Sequence, residues 1–230
     1  MKNLLLFLTA FFIRLLFDNV NAQITYLNSI ESHGTQPAEM IISPDNKFAY
    51  VVARDNELQT YQRNPATGQL TYLSSDTQMT DGSQLYGMVT LAMSPDSKFI
   101  YTVGTFDGFI FRRDTATGLL TPFQKLTDNY FPLYYPTSNN NIVTSKNGKH
   151  VYMTGRKNVF VYERDSVTDS LILADTMQNL NDIPFTVFEN SILLSHDNRL
   201  AFVTGGHSVS VYSRDSVTGE LTFKSIICDR

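Results

Sequence analysis

The chain has 230 residues, 42% of them hydrophobic and 17% charged, the balance of a folded globular protein and not of a disordered one. Lys and Arg total 18 against 22 Asp and Glu, for a net charge of −4 with no basic run, which excludes nucleic acid as an expected partner. A single cysteine, Cys228, excludes an internal disulfide framework, and neither metal-ligand spacing nor a Gly-rich phosphate loop is present, so no metal and no cofactor is expected.

At the N-terminus Lys2 precedes an apolar run, Leu4–Ile13, interrupted only by Thr9. Val20 and Ala22 then set small residues at the −3 and −1 positions of a cleavage site before Gln23. The run is shorter than the roughly 20 residues a membrane span needs. Residues 1–22 therefore read as a secretory signal peptide, and residues 23–230 as an exported chain, secreted or periplasmic, with no membrane span after signal removal. In such a chain Cys228 is either a buried strand thiol or the site of an intermolecular disulfide.

The rest of the chain repeats. Ser43-Pro-Asp-Asn-Lys-Phe-Ala-Tyr50, Ser94-Pro-Asp-Ser-Lys-Phe-Ile-Tyr101, Ser145-Lys-Asn-Gly-Lys-His-Val-Tyr152 and Ser195-His-Asp-Asn-Arg-Leu-Ala-Phe202 start 51, 51 and 50 residues apart. A second block keeps step with the first. It comprises Arg63-Asn-Pro-Ala-Thr-Gly-Gln-Leu70, Arg113-Asp-Thr-Ala-Thr-Gly-Leu-Leu120, Arg164-Asp-Ser-Val-Thr-Asp-Ser-Leu171 and Arg214-Asp-Ser-Val-Thr-Gly-Glu-Leu221. Two blocks holding one period mark a duplicated unit.

Within the first unit, Ala38–Ser43 reads as strand a, Phe48–Ala53 as strand b, Leu58–Arg63 as strand c and Leu70–Ser75 as strand d. Asp or Asn accepts backbone N–H bonds at the intervening turns, and Gly supplies positive φ. Alternation agrees in the last unit, where Val209, Val211 and Ser213 face one side while Ser210 and Tyr212 face the other. The fold class expected is all-β, a β-propeller built of four-stranded antiparallel blades. Four blades are predicted, at residues 35–78, 86–128, 137–178 and 187–228, plus one extra N-terminal strand, Ile24–Ile30, that matches strand d.

The Ser-Pro-Asp-x-Lys-Phe-x-Tyr boxes, the strand b ends Tyr50-Val-Val-Ala, Tyr101-Thr-Val-Gly, Tyr152-Met-Thr-Gly and Phe202-Val-Thr-Gly, and the Val-x-Val-Tyr-x-Arg-Asp-x-x-Thr-Gly-x-Leu-Thr block resemble the lactonase-type propellers. That family includes bacterial 6-phosphogluconolactonase, fungal muconate-lactonising enzyme and exported YVTN-repeat proteins. The resemblance covers Gln23–Arg230, and its motifs are turn and packing residues. It implies a ring of seven blades, more than this chain supplies. Three arrangements are open: a fragment of a longer propeller, an open arc that a second copy completes as a homodimer of eight blades, and a closed four-bladed ring.

The d–a and b–c connections of a propeller gather at the channel mouth, where ligands bind. Four residues before each aligned serine stand Glu39, Thr90, Asn141 and Ser191, polar among apolar neighbours. The b–c turns carry Arg54, Asp107, Arg156 and His207, and the d–a loops His33, Tyr86, Tyr134, Tyr135 and Glu189. Lactone opening needs a base for water and a cation for the oxyanion. Glu39, Arg54 and His207 are the catalytic candidates; Asn141, Arg156, Glu189 and Tyr135 are the ligand-binding ones. The resemblance to the muconate enzyme implies His, Glu and Arg in such a channel, although no motif around His33 or His207 carries over. His150 and His196 read as filler in the a–b turns. Arg63, Arg113, Arg164 and Arg214 read as structural, either hydrogen-bonding or pairing with an adjacent carboxylate. The function expected is an exported binding or scaffold module, without demonstrated catalysis, for a small molecule or protein at the channel face. The alternative is a lactone hydrolase of the 6-phosphogluconolactonase type.

Overall fold

Each repeat is organised by two turns whose geometry its residues dictate. The structure, a computed structural model, describes residue 29 and residues 36–104, 107–126, 141–155, 158–177, 191–205 and 208–228. The expected signal peptide, and the expected extra strand apart from Ser29, lie outside the described residues. Everything below concerns the unit Glu31–Arg230, one of two into which the chain divides.

The first turn is the Ser-x-Asp box. Ser43 Oγ accepts from Phe48 N–H (3.0 Å) and donates to Asp45, and the same pair of bonds recurs from Ser94, Ser145 and Ser195. Its fourth residue takes left-handed φ: Asn46 63°, Ser97 61°, Gly148 70° and Asn198 59°, a conformation for which Asn and Gly are suited. The second turn starts at Asn64, Asp114, Asp165 or Asp215, whose Oδ1 accepts two successive backbone N–H groups. It ends with positive φ at Gly68, Gly118, Asp169 and Gly219.

Between these turns the strands form. They are β1 (Pro37–Ile42), β2 (Phe48–Ala53), β3 (Glu57–Arg63) and β4 (Leu70–Asp76) in blade 1, then β5 (Thr90–Met93), β6 (Phe99–Val103), β7 (Gly108–Arg113) and β8 (Leu120–Leu126) in blade 2. Blade 3 holds β9 (Ile142–Thr144), β10 (His150–Thr154), β11 (Val159–Arg164) and β12 (Leu171–Met177). Blade 4 holds β13 (Ser191–Leu194), β14 (Leu200–Gly205), β15 (Ser208–Arg214) and β16 (Leu221–Cys228). Each blade is one antiparallel sheet in sequence order, so the fold is all-β and propeller-like, and the four blades do not close a ring. The first strands, β1, β5, β9 and β13, lie next to one another in succession. Every c–d pairing carries a register shift at one place, between Thr60/Tyr61, Ile110/Phe111, Val161/Tyr162 and Val211/Tyr212.

The apolar cores lie between blades. Tyr50, Leu58, Leu91 and Phe109 fill the first seam, Tyr101, Ile110, Met153 and Phe160 the second, and Tyr152, Val161, Ile192 and Val203 the third. Burial on both faces explains why β2, β6 and β10 are buried throughout.

The recurrent arginine locks each seam. Arg113 reaches back into blade 1, where its Nε donates to the Tyr50 hydroxyl (2.6 Å) and Nη2 lies 3.4 Å from Asp45 Oδ2. The Tyr50 hydroxyl in turn donates to the Gly118 carbonyl (2.8 Å). A Cβ on Gly118 would stand 2.2 Å from the Phe48 ring, so only glycine lets the turn of blade 2 press against blade 1. Arg214, Tyr152 and Gly219 repeat this between blades 3 and 4, with bonds of 2.6 and 2.8 Å. Between blades 2 and 3, Arg164 pairs with Asp96 (2.9 Å) and Asp169 (2.7 Å) and lies 4.5 Å over the Phe99 ring. Arg113 and Arg214 thus work across blades; Asp169 of blade 3 supplies the adjacent carboxylate expected from the sequence.

His150 is no turn filler. It opens β10 and is wholly buried, with Nδ1 accepting from Arg214 Nη2 (2.9 Å) while Nε2 has no hydrogen-bond partner among the described residues. It stands in for the Asp45 carboxylate of the first seam, since blade 3 has Asn147 at that box position.

Two predictions follow from the seams. Tyr50→Phe deprives the Nε–H of buried Arg113 of its acceptor and costs about 1–3 kcal/mol. Gly118→Ala, strained by φ 76° and by the ring, costs at least as much; urea unfolding checks both. The second prediction concerns acid. Burial foremost, then Arg214 and Lys149, hold the His150 pKa below its usual 6.5, with Glu163 and Asp215 opposing. The unfolded chain therefore takes up a proton first as pH falls, and the stability present above 6.5 is lost on acidification. Melting temperatures recorded from pH 8 to pH 5 fall more steeply for the native protein than for His150→Phe, which carries the residue of blades 1 and 2.

Candidate functional site

The four polar positions at the head of the first strands meet. Glu39 in β1, Thr90 and Ser191 at the first residues of β5 and β13, and Asn141 just before β9 line one cavity of about 270 Å³. Ala38, Val89 and Arg54 complete it. Each blade delivers its residue there because the Ser-x-Asp box fixes the end of the first strand. The residue four positions earlier then falls at the same level in every blade.

Two of these side chains are committed to the first strand of the next blade. Glu39 Oε2 accepts from Leu91 N–H of blade 2 (2.6 Å), and Asn141 Oδ1 accepts from Ile192 N–H of blade 4 (3.2 Å). Asn141 is also tied within its own blade, its N–H donating to Thr154 Oγ1 (2.8 Å). Thr90 is buried, Glu39 and Asn141 are half-buried, and Ser191 and Arg54 are exposed. Arg54 follows β2, its backbone N–H bonded to the Gln36 carbonyl (3.1 Å), and its guanidinium makes no hydrogen bond or ion pair with the described residues. The cavity therefore combines a half-engaged carboxylate, an amide, two hydroxyls and an uncommitted cation. That set suits a polyhydroxylated or anionic ligand. Among the described residues no three His, Cys, Asp or Glu side chains converge as a metal site would require.

Of the other candidates, His207, Arg156, Glu189 and Tyr135, with His33 and Tyr134, lie outside the described residues. Asp107 is occupied by Lys125 at 3.1 Å. Tyr86 is exposed, and its carbonyl abuts Gly104, where a Cβ would lie 2.1 Å away. One group escaped the sequence reading. Asp76, half-buried at the end of β4, has its pKa raised by burial to about 6. The register held a signal for it, because Leu126, Met177 and Ile227 occupy the corresponding places opposite Gly108, Val159 and Val209.

The ties make a prediction about stability. Glu39→Ala strands the Leu91 N–H and Asn141→Ala the Ile192 N–H, each at a cost of about 1–3 kcal/mol in urea unfolding. Glu39→Gln keeps an acceptor oxygen and stays within about 1 kcal/mol of the native protein.

The model of the family described as lactonase, 7-bladed beta-propeller, matches residues 13–86. No curated protein matches the chain. Among solved structures, a 6-phosphogluconolactonase-like protein of Bacteroides uniformis is similar at 18% identity with a TM-score of 0.68, over 84% of this chain and 55% of that one. The periplasmic gluconolactonase PpgL of Pseudomonas aeruginosa is similar at 14% identity with a TM-score of 0.65, over 83% of this chain and 53% of that one. A Lactobacillus plantarum protein is similar at 20% identity with a TM-score of 0.65, covering 83% and 54% of the two chains. The chain spans about half the length of these structures. Its fold is that of a lactonase-like β-propeller.

Proposed function

We propose that the cavity binds a sugar lactone and opens it with water, which is the second of the two functions weighed from the sequence. The observation that carries this reading is the convergence of Glu39 and the uncommitted Arg54 on one cavity. The likeness to proteins named as gluconolactonases adds to it. In this scheme Leu91 N–H holds Oε2 of Glu39, and Oε1 takes a proton from water as the water oxygen adds to the lactone carbonyl. Arg54 stabilises the oxyanion. The ring C–O bond then breaks, the departing alkoxide takes up a proton, and the product is a hydroxy acid whose carboxylate Arg54 can hold. Thr90, Asn141 and Ser191 supply hydroxyl and amide partners for the sugar. The reading of residues 1–22 as a leader, with a periplasmic neighbour, supports action outside the cytoplasm, where unphosphorylated lactones are the expected substrates.

The binding-module reading has its own support, namely that Glu39 and Asn141 each spend an oxygen on a neighbouring blade. Hydrolysis of glucono-δ-lactone, followed as acid release in a pH-stat, separates the two. The expected result is turnover that Glu39→Gln lowers by about 10²-fold or more while stability is kept, with a comparable loss for Arg54→Ala. Absence of turnover together with calorimetric binding of gluconate would leave a binding module.

A further inference from the structure

The first strands of blades 2, 3 and 4 each turn one backbone donor away from their own sheet. The box serine N–H bonds strand b, as Ser94 to the Phe99 carbonyl (2.9 Å), Ser145 to His150 (2.8 Å) and Ser195 to Leu200 (2.9 Å). Antiparallel pairing alternates from there, so the N–H three residues earlier points away from strand b. These are the N–H groups of Leu91, Ile142 and Ile192. Their strands β5, β9 and β13 stand last in their sheets, with no further strand paired to them among the described residues. A side-chain oxygen of the preceding blade caps two of the three: Glu39 Oε2 on Leu91 (2.6 Å) and Asn141 Oδ1 on Ile192 (3.2 Å).

For Ile142 the residue at the capping position is Thr90, whose side chain is too short to reach. Among the described residues nothing bonds the Ile142 N–H, and nothing bonds the Thr90 hydroxyl. Both residues are nonetheless withdrawn from bulk water, Ile142 being 6% exposed and Thr90 4%. Thr90 lines the cavity, and Asn141, the residue before Ile142, lines it too. β5 and β9 run side by side there, with Thr144 Oγ1 donating to the Met93 carbonyl (3.4 Å). Two buried donors without an acceptor are costly and unusual, and here they meet at the wall of a polar cavity.

We infer that a ligand oxygen is held by the Ile142 N–H and the Thr90 hydroxyl together, in the place that Glu39 and Asn141 oxygens fill in the neighbouring blades. The inference rests on the lactone reading of the cavity, and in that reading the oxygen is the lactone carbonyl's. Glu39, fixed on Leu91 one residue from Thr90, stands beside it as the base for water. As the water oxygen adds to the carbonyl carbon, the carbonyl π pair moves onto the held oxygen. Two donors already in position then stabilise that charge alongside Arg54. When the ring C–O bond breaks, the same oxygen becomes one of the two in the product carboxylate. The short side chain of blade 2 thus opens the subsite that longer ones close in blades 1 and 3.

Thr90→Asn, which copies blade 3, tests this because it supplies the cap from the chain itself. The urea midpoint is expected to rise, while calorimetric affinity for gluconate falls by about tenfold or more. Thr90→Val keeps the shape and removes the hydroxyl; kcat on glucono-δ-lactone falls by about 10²-fold with KM little changed, the mark of a donor that acts in the transition state. Amide exchange followed by NMR reads the subsite without turnover. In the free protein Ile142 exchanges faster than Leu91 and Ile192, and either gluconate or Thr90→Asn slows it. Gluconate binding that leaves Ile142 exchange and Thr90→Asn affinity unchanged overturns the subsite while the lactone reading stands. Binding that protects Ile142 without any hydrolysis keeps the subsite, as a carboxylate site, and overturns the hydrolase. A native protein that neither binds gluconate nor opens the lactone overturns both.

Discussion

Everything in this structure depends on an arginine held between two blades. A four-stranded sheet with two apolar faces cannot stand alone in water, so each blade is stable only in the company of another. Hydrophobic packing favours that company but leaves open the angle and height at which blades meet. Arg113 and Arg214 remove that freedom. A planar guanidinium whose donors must find a phenol and a carboxylate or imidazole admits one placement. The glycine beside it allows the turn to approach the neighbouring ring. The level of each blade is thereby set, and with it the level at which the first strands begin. The cavity is a result of this indexing: Glu39, Thr90, Asn141 and Ser191 meet because the register has been kept across three seams.

What the sequence made legible is whatever the chain decides locally. The Ser-x-Asp and Asn/Asp-x-x-Thr-Gly turns are written in residues that bond their own backbone within five positions, so the hairpins, and hence the blade, could be read directly. β2 came out at Phe48–Ala53 as expected, and β3 differed by one residue. The arginines were read only in part. Their structural character was evident, but Arg113 finds Tyr50 across 63 residues, and no local rule points that far. His150 failed for the same reason: a histidine where Phe48 and Phe99 stand elsewhere looks incidental until Arg214 is seen beside it.

At the cavity, position was legible and role was not. Polar residues at one register point, against an apolar background, announced a common surface, and the cavity gathers all four. Their chemistry is ambiguous because a side chain can serve two ends at once. Glu39 both ties blade 1 to blade 2 and faces the cavity, and sequence carries no mark of that division. Asp76 shows the converse. It broke the apolar register of its strand position, a signal available from the repeats, and its raised pKa follows from the burial of an acid where its counterparts are Leu, Met and Ile.

The register shift in every c–d pairing has a meaning for how such arcs survive. The outermost strands β4, β8, β12 and β16 stand last in their sheets, with no further strand paired to them among the described residues, and an unbroken flat edge is a template on which foreign strands can lengthen a sheet. A one-residue bulge beside each edge twists it and throws its hydrogen-bonding groups out of step with any straight partner. Growth by sheet extension, the route to amyloid, is thereby discouraged four times over.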